Sequence, residues 1–281
     1  MPAYSDLIMA LRPAHWVKNF LVVAPLFFTG RLTHAGLLRR EGLAFVVFCA
    51  ASSAVYLFND WWDAPADRED ERKRTRPYAG GRVSERVQWG LMAACAAAAA
   101  AGCVFLPIGV GGMVVAYAMG MALYTVLCKN WGVAGAVIIA LGMIARVFAG
   151  AAAIGVCVSA WVLPCTFFLT CYVVAGKRLF DAAGPEQAGP DRSLEPLFFV
   201  FGAITLACYV FYAFTDVTIL KYESRWVALS AAPVASGLWR YAVIVRRPPR
   251  GAEHFQAVLT DPAMAGSLCA WLVVFAAIIY R

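Results

Sequence analysis

Charge is scarce in this chain, and histidine scarcer. Asp, Glu, Lys and Arg make up 15% of the 281 residues, and there are three histidines. With 62% hydrophobic residues and a mean hydropathy of +0.69, the polar surface is too small to coat a soluble body of this length. Nine cysteines are scattered through apolar stretches, with no C-x-x-C pair and no neighbouring histidine. That excludes a Cys/His metal cluster and a disulfide framework, and leaves them as small packing residues. No internal repeat stands out, which removes sequence support for an inverted-repeat transporter. No cleavable signal pattern precedes the first apolar stretch. The net charge of +7 is accounted for by membrane topology, so no nucleic-acid partner is expected.

What remains is a series of apolar runs. Nine are long enough to span about 30 Å of hydrocarbon, at residues 17–37, 42–60, 87–106, 109–128, 132–155, 158–180, 195–215, 225–245 and 262–280. The expectation is an all-α, polytopic integral membrane bundle of nine transmembrane helices, folded as one domain over residues 1–281. Threaded through these spans, seventeen Lys and Arg fall on one side and six on the other, with Arg146 inside a span. The positive-inside bias places the N-terminus and the loops after even-numbered helices in the cytoplasm, in a multi-pass inner-membrane protein surrounded by membrane lipids. Residues 1–16 then form an interfacial segment, and 60–86 a cytoplasmic Asp-rich loop. Homo-oligomerisation is left open.

That loop belongs to the most informative stretch, Tyr56 to Gly81. Asn59, Asp63 and Asp67 recur at i, i+4 and i+8, with Asp60 three residues before Asp63, so a continuing helix would put them on one face. Carboxylates gathered at a helix C-terminal end repel one another and oppose the helix dipole. A divalent cation would relieve both. Oxygen-only ligands suit Mg²⁺, which commonly combines one or two carboxylates with substrate phosphates. Asn59, Asp63 and Asp67 are the candidate ligands, with Asp60 beside them. Arg72, Lys73, Arg74 and Arg76 follow and would take remaining phosphate charge. The competing reading is a solvated charged loop beside a membrane helix.

Other polar groups near or inside the apolar runs are costly in lipid, and each is a candidate for function. Lys18 and Asn19 sit at the mouth of the first run, where Lys18 either snorkels or binds substrate. Tyr124 and Lys129 end the fourth, where Lys129 either anchors at headgroups or contacts a phosphate. Arg146 must face the bundle or a wet cavity, for pairing or for a ligand. The segment Tyr172–Asp181 opens the loop after the sixth run and presents Gly176-Lys177-Arg178 and then Asp181. Those two cations suit phosphates, or else add to the positive-inside count.

These motifs resemble those of the UbiA-type membrane prenyltransferase superfamily. Asn59-Asp60, Asp63 and Asp67 match its first motif, N-D-x-x-D-x-x-x-D. The continuation Asp67-Arg68, Lys73, Arg76-Pro77 is similar to the D-R-x-x-x-x-K-x-x-R-P of one branch, the decaprenyl-phosphate phosphoribosyltransferases. Asp70-Glu71 departs from the His-Pro common there. Arg12-Pro13, Trp16 and Lys18-Asn19 resemble R-P-x-x-W-x-K-N, and Tyr124 to Lys129 resembles Y-S-x-x-L-K. Arg240-Tyr241-Ala242 and Asp261 also fit a family pattern, expected to order a loop. Where ordinary members carry a second acidic motif, D-x-x-x-D, this chain has Gly176-Lys177-Arg178 and one acid, as the branch does.

The resemblance implies Mg²⁺-dependent transfer of 5-phosphoribose from phosphoribosyl diphosphate to a polyprenyl phosphate, releasing diphosphate. Asn59, Asp60, Asp63 and Asp67 would be catalytic. Lys73, Arg74, Arg76, Lys177 and Arg178 would hold donor phosphates, with Asp181 nearby. Lys18, Asn19, Tyr124, Lys129 and Arg146 would line the substrate site, Lys18 and Lys129 on the lipid phosphate. The alternative is a prenyltransferase moving an isoprenyl chain from its diphosphate to an aromatic or polar acceptor. A non-catalytic lipid transporter or scaffold is the third reading.

Overall fold

The computed structural model describes residues 3–71, 73–129, 133–182, 192–249 and 253–280. Arg72, one of the basic residues singled out above, lies outside them. Every regular element among the described residues is helical, as the apolar runs predict. The chain divides into two compact units, Met1–Val158 and Ser159–Arg281.

The first unit opens with a short helix, α1 (Tyr4–Leu11), which ends at Arg12 in the left-handed conformation (φ 54°, ψ 53°). Pro13 cannot continue that helix and instead starts a 3-10 segment, Pro13–Asn19. Then comes α2 (Phe20–Phe28), whose nine residues rise only about 13 Å. The expected span at 17–37 is therefore not one helix. Pro25 lies inside α2, and Gly30 turns the chain at φ 69°.

α3 (Ala35–Glu69) corrects the sequence reading in the other direction. It runs for 35 residues, roughly 52 Å, so it continues well past residue 60. Residues 60–69 are helix, and the loop begins only at Asp70. α4 (Glu85–Cys103), α5 (Ile108–Leu123), a π-helical turn at Tyr124–Cys128 and α6 (Val133–Ile154) complete the unit. Its core joins Val22, Ala44, Phe48, Ala51, Val110 and Ala149. Small residues let the backbones approach. A Cβ at Gly150 would overlap the carbonyl oxygen of Val22, so α2 and α6 can meet only where this glycine stands.

The second unit holds α7 (Val162–Ala182), α8 (Glu195–Phe214), α9 (Asp216–Tyr222), a 3-10 turn at Arg225–Ser230 leading into α10 (Ala231–Arg246), α11 (His254–Leu259) and α12 (Pro262–Ile279). Its core joins Tyr172, Phe198 and Tyr241 with Ala175, Leu179 and Val245. Tyr172 stacks on Phe198 at 4.3 Å between centroids and meets Tyr241 edge-on at 5.1 Å.

Seven helical stretches among the described residues are long and apolar enough to cross a membrane: α3, α5 with its π turn, α6, α7, α8, the segment Arg225–Arg246, and α12. Nine were expected. Besides the broken first stretch, α4 is not among the seven, although its 19 residues give it a comparable length.

Candidate active site

The continuation of α3 decides the geometry of the acids. Asp60, Asp63 and Asp67 lie on its inner face and are buried, at 4%, 8% and 2% exposure. Three buried carboxylates in one helix would be untenable alone. Each is answered by a cation from elsewhere in the unit. Arg12 and Arg76 both bond Oδ1 of Asp60, the latter at 3.3 Å. Arg76 also bonds Oδ2 of Asp67, and Lys129 bonds Oδ2 of Asp63. These pairs explain why the helix survives past residue 60: the charge that should end it is neutralised side by side.

Asn59 completes the face. Its Nδ2 donates to Oγ1 of Thr125 at 3.1 Å, and the Thr125 hydroxyl donates in turn to the Met121 carbonyl at 3.0 Å. With the amide nitrogen committed there, the amide oxygen is the acceptor Asn59 has to offer. Thr125 and Tyr124 stand in the π-helical turn, a local widening frequent at functional sites. Lys129 follows that turn.

Of the other predicted phosphate ligands, Lys73 and Arg74 stay local. Lys73 reaches Asp70 at 3.0 Å, and Arg74 reaches Glu71 at 3.8 Å. Both side chains are at least half exposed. Among the described members of that run, Arg76 is the one directed onto the acids.

A second constellation lies deeper in the same unit. Arg146 is buried and donates to Oδ1 of Asn19 at 2.8 Å and to the Gly142 carbonyl at 2.7 Å. Its guanidinium carbon sits 4.4 Å from the centre of the Tyr117 ring. Asn19 passes the network on to Ser52 at 3.2 Å and Cys49 at 3.3 Å. Lys18 stands beside this network, in the 3-10 segment ahead of α2. Burial first, and then the charges of Arg146 and Arg12, push its ammonium down to about 8.

Lys177, Arg178 and Asp181 belong to the second unit. They occupy the last turns of α7, which continues to Ala182, and so are helical where a loop was expected. Lys177 and Asp181 are both exposed, 4.0 Å apart on the helix surface. On α10, Arg240 clamps Asp261 through bonds of 3.0, 3.1 and 2.6 Å. Those bonds hold the Asp261 carboxyl below its usual range, while Asp261 caps α12 through the Met264 amide at 2.9 Å.

The structure thus adds Arg12 and Thr125 to the predicted residues. Arg12 carried a signal only in part, since the proline after it marks the end of a helix. Thr125 carried none beyond its place beside Tyr124.

By donor type the face fits a hard cation. Its ligand atoms are oxygens only, Asn59 is oriented to offer one, and each ion pair engages one oxygen of its carboxylate. Among the described residues no three His, Cys, Asp or Glu side chains converge as a ready-made metal cluster. A metal would therefore share these acids with the cations already on them.

Comparison with known proteins bears on the chemistry. The model of the UbiA prenyltransferase family matches residues 21–260. The chain belongs to that family. Two curated relatives match it over nearly their whole length, both named decaprenyl-phosphate phosphoribosyltransferase. One, from Mycolicibacterium smegmatis, is 31% identical over 98% of this chain and 93% of its own. The other, from Mycobacterium tuberculosis, is 32% identical over 95% and 92%. The fold is that of solved family members: a UbiA homologue from Archaeoglobus fulgidus, described as bound to GPP and Mg²⁺, superposes with a TM-score of 0.72 at 18% identity, covering 98% of this chain and all of that one. This UbiA-family protein is a multi-pass integral membrane protein and a transferase.

Proposed function

We propose that the protein moves 5-phosphoribose from phosphoribosyl diphosphate to a polyprenyl phosphate, with the active site facing the cytoplasm. The observation that carries this is the near full-length similarity to two phosphoribosyltransferases. The departures from the general family motif support it, since Gly176-Lys177-Arg178 stands where a second acidic pair would be expected.

A phosphate oxygen of the lipid attacks the anomeric carbon of the ribose, and the bond from that carbon to the diphosphate breaks. The nucleophile is already an anion, so no general base is required. The work left to the protein is positioning and neutralisation of charge. Lys18 and Lys129 are assigned to the lipid phosphate, with Asn19, Tyr124 and Arg146 supporting them. Arg76, Lys73 and Arg74 are assigned to the leaving diphosphate, and Lys177 and Arg178 to phosphates of the donor. Asn59, Asp63 and Asp67 would hold Mg²⁺, with Asp60 adjacent, and the ion would supply positive charge against the leaving group. Arg76 and Lys129 then have two partners to serve, an acid before the substrates arrive and a phosphate afterwards.

The prenyltransferase alternative draws on the family description. Incubating the purified protein with labelled phosphoribosyl diphosphate, Mg²⁺ and a polyprenyl phosphate separates the two. Label should enter the lipid fraction, with one diphosphate released per lipid modified. Label that stays in the aqueous phase, while a prenyl diphosphate is consumed instead, would favour the alternative.

A further inference from the structure

We propose that Tyr241 and His254 form a positioning couple that fixes the last turns of α7 and so sets where Lys177 and Arg178 point. The proposal rests on the assignment of those cations to the donor. Tyr241 is buried on α10, and its hydroxyl donates to the carbonyl of Val173 on α7 at 2.8 Å. In an α-helix that carbonyl is also the acceptor for the amide of Lys177. The phenol therefore ties down the turn that carries the lysine.

Gly176 makes the approach feasible. A Cβ there would lie 2.5 Å from Oη of Tyr241, 2.6 Å from Cε1 and 2.8 Å from Cζ. The glycine before Lys177-Arg178 thus serves the tyrosine rather than a turn. The phenol has one proton, and a carbonyl can only accept. With that proton on Val173, the 2.8 Å bond between Oη and Nε2 of His254 must be donated by the imidazole. His254, buried at the start of α11, therefore carries a proton on Nε2. Phe180 holds the imidazole from α7 by an edge contact at 5.2 Å. A second tie, from the Tyr172 hydroxyl to the Leu238 carbonyl at 2.8 Å, joins the same two helices about one turn earlier on α10. The Tyr241 couple is the tie that lands on the cationic turn.

The test is steady-state kinetics with Tyr241→Phe, His254→Leu and His254→Gln. Loss of the phenol proton removes one buried hydrogen bond, so the donor KM should rise roughly tenfold in Tyr241→Phe. kcat and the lipid KM should stay within about twofold. His254→Leu should move the donor KM the same way, and His254→Gln, which keeps a donor for Oη, should stay near wild type. Unchanged donor KM in Tyr241→Phe overturns the proposal, as does a parallel fall of all constants or loss of folded protein in both Tyr241→Phe and His254→Gln. Amide exchange separates this from the functional reading, because it needs no substrate. In Tyr241→Phe the amides of residues 176–179 should exchange about tenfold faster. If they do so in a protein that uses no phosphoribosyl diphosphate, the couple stands and the donor assignment falls.

Discussion

The two charged regions of this protein are built in opposite ways. On α3 the acids are buried, and two of their partners come from far along the chain, Arg12 to Asp60 across 48 residues and Lys129 to Asp63 across 66, while Arg76 reaches Asp67 from nine residues on. On α7 Lys177 is exposed and Arg178 half-buried, the acid neighbour Asp181 lies four residues beyond Lys177, and long-range contacts are made by an uncharged tyrosine, a histidine and aromatic rings. Burial accounts for the difference. A charge out of water needs an opposite charge at hand, whatever its place in the sequence, whereas an exposed one is served by solvent and needs only a rigid support. The first arrangement suits a site whose charges rearrange when substrate arrives. The second suits one that presents fixed cations to a ligand.

Breaking the buried side should have the largest effect. Asp63→Ala removes the partner of Lys129 and a candidate metal ligand, and turnover should fall by about 10²–10³, the range for losing one preorganised electrostatic group. Chelation of divalent ions in the wild type should do the same, with recovery on adding Mg²⁺. Full activity of the variant or in chelator would contradict the assignment.

Arg12→Ala probes stability rather than chemistry. It removes one charged hydrogen bond from buried Asp60 and leaves Arg76 on the same oxygen, so unfolding should become easier by about 1.5–3 kcal/mol. A melting temperature equal to wild type would mean that Arg76 alone satisfies Asp60.

The pH response should be smaller. Lys18 is charged below about 8 and neutral above it, and only the ammonium attracts a phosphate. kcat/KM for the lipid should therefore fall as pH rises through 8, by at most about tenfold per unit. Lys18→Arg should flatten the profile, because a guanidinium keeps its charge. A flat wild-type profile between pH 7 and 9 would remove Lys18 from the lipid site.

Smallest of all is Arg74→Ala. This exposed side chain meets Glu71 at 3.8 Å, and a stability change below about 0.5 kcal/mol is expected. A larger one would show that exposed charges in this protein are not merely solvated.

What could be read from the sequence follows the same division. The apolar runs, the one-faced spacing of Asp60, Asp63 and Asp67 and the crowding of Lys177-Arg178 are local patterns, and periodicity and composition reveal them. The length of α3 was not legible. Whether a helix carries on through three carboxylates depends on Arg12, Arg76 and Lys129 being near, which is a tertiary fact. The first apolar stretch misled for a related reason: hydropathy counts Pro25 and Gly30 as compatible with a span, although backbone geometry stops the helix between them. Gly176 looked like part of a phosphate-binding motif. Only the packed structure connects it to Tyr241, 65 residues on.

Binding of the two candidate diphosphates tests the central assignment most directly. With Mg²⁺ present, the wild-type protein should bind phosphoribosyl diphosphate, and Lys177→Ala should weaken that binding roughly 10- to 100-fold while leaving the melting temperature unchanged. Tight binding of a prenyl diphosphate by the wild type, with none of the phosphoribosyl compound, would contradict the account.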